Sequence, residues 1–140
     1  FISQDTFLIE DTIKNNILFY SNEKFDEERL KFSIDFSNLN SIIKEFENGL
    51  DYEVGSHSRR ISSGQRQRIA IARAIYNLKE ILIFDEATNA LDEKNEKLIY
   101  KNILNLRGKK TVIIVSHNLK NLEHCDSIYE IKNFEVEKKK

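Results

Sequence analysis

The sequence lacks several features that define common classes of protein. Its 140 residues include no proline, tryptophan or methionine, four glycines, and one cysteine, Cys125. A single cysteine cannot form a disulfide within the chain, which excludes a disulfide-stapled secreted scaffold and favours a reducing compartment. Because methionine is absent, we expect the chain to be a fragment of a longer protein.

Long apolar runs and an excess of one charge are also missing. The longest runs are four residues, such as Ile81–Phe84 and Val112–Val115, whereas a membrane-spanning helix needs roughly 18 apolar residues. We therefore expect no transmembrane helix or signal peptide in this chain. The 22 basic and 23 acidic residues give a net charge of −1, which argues against a histone-like nucleic-acid binder.

The residues that are present suffice for about one folded domain. Hydrophobic residues make up 40% of the chain, with nine Phe and five Tyr, and a chain of this length can bury a sizeable core. From Asp11 to Leu50, apolar residues recur at helical intervals, which predicts a set of short amphipathic helices. Either Ser62 or Ser63 can cap a following helix that includes Arg66–Ile75.

The second half of the chain alternates between strand and helix patterns. Ile81–Phe84 and Thr111–Val115 are predicted strands, separated by a helix from Glu93 to about Leu106 that Asp92 caps and that Gly108 follows as the C′ residue. This order predicts a parallel sheet with helices on both faces. The remaining predictions are a short helix containing Leu119 and Leu122, a half-exposed strand at Ser127–Ile131 and a solvated tail at Lys138–Lys140.

Two carboxylates follow the first predicted strand. Asp85 and Glu86 should lie at the carboxyl end of the sheet, where ligands bind in such folds. One could face a cation such as Mg²⁺ and the other a water molecule, which suits metal-assisted hydrolysis. His117 follows the second strand, so it should reach the same edge, where it could hydrogen-bond a phosphate or the attacking water. Taken singly, each of these residues is more often an ordinary structural or exposed residue at a strand end.

A helix start supplies a second chemical feature. The segment Ser62–Gln65 offers unpaired N–H groups and a positive dipole end to an anion, and Gly64 would let the backbone approach a phosphate closely. Arg66 and Arg68 place positive charge near the positive end of the helix dipole, where acidic residues are preferred. This indicates that they have another role, such as ion pairs across a domain or interface. An ordinary capped helix is the alternative. His57 and His124 have no such placement.

Taken together, these segments resemble the motifs of ATP-binding cassette (ABC) ATPases. In chain order, Ser3–Leu8 with Thr12–Ile17 is similar to the Q-loop of exporter-type cassettes, Arg60–Ala74 to the signature motif and its helix, Ile81–Thr88 to the Walker B strand, Asn89–Asp92 to the D-loop, and Thr111–His117 to the H-loop strand and switch histidine. The resemblance covers essentially the whole chain.

The resemblance implies an α/β fold, a partial P-loop NTPase-like parallel sheet flanked by helices with an inserted all-helical subdomain. Residues 1–140 would form one partial ABC ATPase domain. Residues from about 5 to 60 would be the helical subdomain with the Q-loop at its start, and residues from about 61 to 140 would carry the signature helix, Walker B, D-loop and H-loop.

The same resemblance implies ATP and Mg²⁺ as cofactors and a role for each matching residue. Glu86 would be the general base for attack on the γ-phosphate, and His117 would hold that phosphate and the water. Asp85 would reach Mg²⁺, and Gln4 would touch both metal and water. The remaining positions would serve ATP bound to the opposite protomer: Ser62, Ser63, Gly64 and Gln65 would contact its γ-phosphate, and Asp92 would lie at the interface.

The implied function is ATP hydrolysis that powers an ABC exporter or lipid-linked flippase at the cytoplasmic face of the plasma (inner) membrane. Its partners would be a second nucleotide-binding domain, as homo- or heterodimer, and a transmembrane domain in the same full-length chain. The alternatives are a soluble ABC-type ATPase and a hydrolysis-deficient regulatory half-site. Nucleic-acid binding by the cluster Arg59, Arg60, Arg66, Arg68 and Arg73 is disfavoured because aromatic residues are not interleaved with it.

The sequence departs from the family pattern at several positions. The phosphate-binding Walker A motif is absent, because Ile103 stands where a first glycine would precede Gly108-Lys109-Lys110-Thr111. We therefore expect the chain alone to be inactive and marginally stable, with exposed sheet edges and an uncovered sheet face. Ser63, Asn89 and Asn118 replace the usual Gly, Ser and Arg. If position 63 needs a positive φ, serine there costs about 1 kcal/mol.

Overall fold

A parallel pair of strands forms the central sheet. The computed structural model describes residues 1–19, 21, 24–54, 61–77 and 79–140. In it β3 (Ile81–Asp85) pairs in parallel with β4 (Thr111–Val115), with Ile81 opposite Thr111 and Asp85 opposite Val115. On the other side of β3, Ile2 bridges to Phe84 in parallel, with its N–H 2.8 Å from the Ile83 carbonyl. The predicted parallel pairing is therefore present.

Helices cover one face of this sheet. Alternate side chains such as Leu82 and Phe84 pack against α4 (Ser63–Tyr76) and α5 (Glu93–Leu104) in one buried cluster. On the opposite face Ile81, Ile113 and Val115 are about half exposed. Among the described residues the helices share one buried cluster with a single face of the sheet, so the covering of both faces that the strand pattern predicts is not seen. The exposed opposite face agrees with the uncovered face expected of this chain.

The first half of the chain contains the predicted short helices. These are α1 (Ile13–Leu18), α2 (Glu27–Phe36) and α3 (Asn40–Ile43), followed by a 3-10 turn at Gly49–Asp51. The sequence pattern did not predict the small antiparallel pair β1 (Asp11–Thr12) and β2 (Glu53–Val54). With two residues each, these strands are too short to show a period-2 pattern.

Helix α4 belongs to two hydrophobic cores. Ile69, Ala72 and Tyr76 pack with α1 and α2, whereas Ile71 and Ile75 pack against the sheet. The helix is buried on both sides because apolar residues occupy more than one stripe of its surface. The division of the chain into subdomains at about residue 60 stays a prediction.

Both main helices begin at the predicted caps. The Ser62 hydroxyl accepts a hydrogen bond from the Gln65 N–H, and the Gln65 side-chain oxygen accepts one from the Ser62 N–H, forming a capping box. Asp92 caps α5. This helix ends at Leu104, so Gly108 is not its C′ residue. Gly108 has φ +74° in the turn that leads to β4, a conformation that glycine adopts without strain.

The C-terminal segment differs most from the prediction. Beyond a 3-10 turn at Leu119–Leu122, β5 (Tyr129–Lys132) and β6 (Glu135–Lys138) form an antiparallel hairpin. Asn133 and Phe134 both have positive φ, as a tight hairpin turn requires. The predicted strand is therefore displaced, and Lys138 lies in β6 rather than in a tail. The Lys139 N–H also bonds the Ile128 carbonyl at 2.8 Å.

Across the described ranges, no helix combines the length and apolar character that a bilayer crossing needs.

Candidate functional site

The carboxyl ends of β3 and β4 meet at one edge of the sheet. Asp85 ends β3 and Glu86 follows it, and the Glu86 N–H donates to the carbonyl of Val115, the last residue of β4, at 3.0 Å. Glu86 has φ +49°, a left-handed conformation that is uncommon for a side chain of this size and tends to occur at functional sites. This backbone turns the carboxylate out at the sheet edge.

The structure brings Glu86 and His117 together. His117 follows β4 by two residues, and its Nδ1 lies 3.2 Å from Glu86 Oε1. The histidine side chain is 72% exposed and that of Glu86 is 31% exposed. The predicted meeting of these two side chains at one edge of the sheet is therefore observed, and both are open to a ligand from solvent.

A third side chain contacts the same carboxylate. Asn89 Nδ2 donates to Glu86 Oε2 at 2.8 Å, and the Asn89 backbone N–H donates to the Glu86 carbonyl at 3.2 Å. The sequence singled out Asn89 only as a departure from the D-loop pattern. Glu86 therefore has one hydrogen-bonding partner at each carboxylate oxygen.

Gln67 is a site residue that the sequence reasoning missed. Its side chain is 2% exposed, donates to the Glu86 carbonyl at 3.4 Å and accepts from the Ala90 N–H at 3.1 Å. Its spacing in the sequence could have indicated this burial. Gln67 precedes Ala70 by three residues and Ile71 by four, so it lies on the same buried face of α4. Gln67 thus joins α4 to the turn that carries Glu86.

The start of α4 is exposed to solvent at Ser62 and Ser63. Ser63 is the first helical residue and has a helical φ, so the suspected strain of a positive φ at this position does not arise. The Gln65 side chain is engaged in the capping box rather than pointing away from the chain.

Gly64 serves a close contact within the protein. A Cβ added there would lie 2.9 Å from the carbonyl oxygen of Ala90, closer than side chains approach without movement. Gly64 therefore allows the start of α4 to lie against the turn after Glu86. That it also gives a phosphate access to the backbone stays a prediction.

Among the described residues, Asp92 and Gln4 occupy separate segments of the chain and hydrogen-bond neither Glu86 nor His117. The Asp92 carboxylate accepts hydrogen bonds from the backbone and side chain of Asn95, which hold the pKa of Asp92 below its usual value. Gln4 is exposed and follows Ile2, whose parallel bridge to Phe84 directs the chain toward the edge where Asp85 lies.

The loops after β3 and β4 are also joined behind the site. Glu96 on α5 accepts from the Thr88 hydroxyl at 3.0 Å and from Asn121 Nδ2 at 2.9 Å. The Tyr100 hydroxyl lies 3.3 Å from Thr88, and burial raises the pKa of Tyr100. This polar cluster fixes the spacing of the two loops.

The side chains at this edge suit a metal ion that is also held by water and by the phosphates of a bound ligand. Among the described residues, no three acidic, histidine or cysteine side chains group as a metal site. Mg²⁺ usually binds one or two carboxylates and keeps water and substrate phosphates as its other ligands. The partly exposed carboxylate of Asp85 fits that requirement.

Two arginines of α4, Arg68 and Arg73, make hydrogen bonds within the protein. Arg68 Nη1 donates to the Asn38 carbonyl at 3.1 Å, and burial lowers the pKa of Arg68. Arg73 Nε donates to the Asn16 carbonyl at 2.7 Å. Both side chains therefore hold backbone carbonyls of the first half of the chain. The expectation that Arg66 and Arg68 form ion pairs across a domain or interface stays a prediction. Arg59 and Arg60 of the same cluster lie outside the described residues, as does His57.

Comparison with known proteins places these features in a family. The model of the family described as "ABC transporter" matches residues 1–89. The chain is 42% identical over 131 residues to the ATP-dependent lipid A-core flippase 2 of Colwellia psychrerythraea, covering 94% of this chain and 22% of that protein. It is 40% identical over 132 residues to the ATP-dependent lipid A-core flippase of Blochmanniella pennsylvanica, covering 94% and 23%.

A solved structure gives the same result. The fold superimposes on a bacterial Atm1-family ABC exporter with ATP bound, at a TM-score of 0.84 and 31% identity, covering 91% of this chain and 22% of that one. This likeness confirms the predicted α/β fold class. The chain spans about a fifth of the length of these relatives. With more than half of its residues matched by the family model, the chain belongs to the ABC transporter family.

Proposed function

We propose that this chain is part of the ATP-hydrolysing domain of an ABC exporter or lipid-linked flippase. The observation that carries the proposal is the contact between Glu86 and His117 at the carboxyl ends of two parallel strands, beside Asp85. Ligands of such sheets bind at that edge. The likeness to lipid A-core flippases and to an exporter with ATP bound supports ATP as the substrate.

Glu86 is the general base in this proposal. Its carboxylate is held outward by the left-handed backbone and by two hydrogen bonds, so it can accept a proton from water or orient it. His117 holds the terminal phosphate and the water in line. Phosphoryl transfer depends mainly on positioning and charge neutralisation. These two side chains can supply the positioning, and no covalent intermediate with the protein is needed.

Asp85 and Gln4 are the proposed holders of the metal. When bound, Mg²⁺ neutralises charge on the phosphates. Asp85 would reach it directly or through water, and Gln4 would approach the metal and the attacking water from the neighbouring segment. The partly exposed Asp85 carboxylate and the course of the chain beyond Ile2 support this assignment.

The start of α4 serves a second copy of the site. Ser62, Ser63, Gly64 and Gln65 would contact the γ-phosphate of ATP bound to an opposing nucleotide-binding domain, and Asp92 would lie at that interface. Exposure of Ser62 and Ser63 at a helix N-terminus supports this role, since free N–H groups there favour an anion. The partner domain would be a second copy or a related chain.

Transport is the proposed use of the hydrolysis. A transmembrane domain, in the same full-length chain, would move the substrate while this domain works at the cytoplasmic face of the plasma (inner) membrane. Because no Walker A motif is present in the 140 residues, the chain by itself would be inactive.

The test is ATP turnover by the complete transporter with the substitution Glu86→Gln. Loss of the base should reduce turnover by on the order of 100-fold or more while ATP binding is kept. Glu47→Gln, which changes an exposed turn glutamate, is the matched control and should hydrolyse ATP normally. Unimpaired hydrolysis by Glu86→Gln would refute the proposal.

A further inference from the structure

The side chain of Asn89 holds one oxygen of the Glu86 carboxylate. Its amide Nδ2 lies 2.8 Å from Glu86 Oε2, while His117 contacts the other oxygen, Oε1. A hydrogen bond to an ionised acceptor is stronger than a bond between neutral groups. The two contacts together determine which way the carboxylate faces.

The turn that carries Asn89 does not need the amide to form. Backbone hydrogen bonds from Asn89 to the Glu86 carbonyl, at 3.2 Å, and from Leu91 to the Thr88 carbonyl, at 2.9 Å, close it. Gln67 and Gly64 secure the same turn through Ala90. The contribution of the Asn89 side chain is therefore separable from the shape of its loop.

Hydrogen bonds fix the backbone of Glu86 on both sides, so the conformation of its side chain is what can still change. The N–H is bonded to Val115 and the carbonyl to Gln67. A glutamate side chain can still rotate about its own bonds, and a general base works only when its oxygen is within reach of the proton it accepts. A donor at Oε2 restricts that rotation and directs Oε1 toward His117.

We infer that Asn89 is a positioning residue for Glu86, acting through its amide donor. The inference rests on the proposed function, because it needs Glu86 to be the base. It predicts that the effect of changing Asn89 falls on the rate of the chemical step and not on the binding of ATP.

The test compares Asn89→Asp and Asn89→Ala in the complete transporter. Aspartate has the shape of asparagine and also favours turns, but it replaces the donor with a second carboxylate. We expect Asn89→Asp to lower kcat by roughly tenfold or more, with KM for ATP changed by less than about twofold. Asn89→Ala should lose less, because it adds no like charge. Asn48→Asp, in an exposed turn, is the matched control and should leave both constants unchanged.

Two outcomes separate this inference from the proposed function. If Glu86→Gln is inactive while Asn89→Asp keeps the wild-type kcat, or loses activity only through KM, the positioning role is wrong and the proposed function stands. If Glu86→Gln itself hydrolyses ATP normally, both are wrong.

Discussion

The loops after β3 and β4 meet at the site but are held in different ways. Glu86 is bonded through its N–H to Val115, through its carbonyl to Gln67, and through its carboxylate to Asn89 and His117. The His117 side chain is 72% exposed, more than twice the 31% of Glu86. The fold therefore sets the position of the proposed base in advance, whereas the histidine reaches it from a more open loop.

Substitution of Gln67 should have the largest effect on stability. Gln67→Ala removes two hydrogen bonds from the turn after β3 and leaves a gap where a side chain was 2% exposed. We expect a loss of about 2 kcal/mol in the free energy of unfolding, measured by urea denaturation followed by circular dichroism. The matched change His117→Ala should alter that free energy by less than about 0.5 kcal/mol. Equal losses from both would remove the distinction between the two loops.

Substitution of Gly64 should have a smaller effect. In Gly64→Ala the new Cβ would stand 2.9 Å from the Ala90 carbonyl, so the start of α4 or the turn must move. We expect a net loss of about 1 kcal/mol, because the helix propensity of alanine offsets part of the strain. Ser63→Ala changes the adjacent exposed residue and should be near neutral by the same urea titration. A stabilised Gly64→Ala variant would show that the contact between α4 and this turn is loose.

Substitution of Asp92, the residue that caps α5, should have the smallest effect on the free energy of unfolding, and this effect should depend on pH. Hydrogen bonds from Asn95 lower the pKa of Asp92 in the folded chain below its ordinary value of 3.8. A lowered folded pKa adds stability above the unfolded pKa, and this stability is lost as pH falls through the folded value. The stability advantage of wild type over Asp92→Ala should therefore shrink below about pH 4. An asparagine side chain caps a helix both above and below pH 4. The Asp92→Asn variant should therefore stay more stable than Asp92→Ala across the whole pH range. A pH-independent difference for wild type would contradict this.

The sequence predicted the parts of the fold that follow from local pattern. Apolar runs predict the strands around Leu82 and Ile113, and the types of residue at Ser62 and Asp92 predict the helix caps. The geometry of parallel strands predicts that Glu86 and His117 meet. The β5–β6 hairpin was missed because its turn residues, Asn133 and Phe134, lack the Asn-Gly pattern that marks such turns.

The contacts that cross between elements could not be predicted. Nothing local indicates that Gln67 reaches the carbonyl of Glu86 or that Gly64 lies against Ala90. These contacts depend on how α4 sits against the sheet and on the left-handed backbone at Glu86, and both are set by tertiary packing. The residue types at the site were therefore predictable, while the means of holding them were not.

The proposed ATPase site depends most on Glu86 and His117 acting on the same ATP. The direct measurement is ATP turnover and ATP binding by the complete transporter carrying His117→Ala, beside Glu86→Gln. We predict that both variants bind ATP and that both lose turnover by on the order of 100-fold. A His117→Ala variant that hydrolyses ATP at the wild-type rate would contradict the claim that the contact at this edge of the sheet is the reactive site.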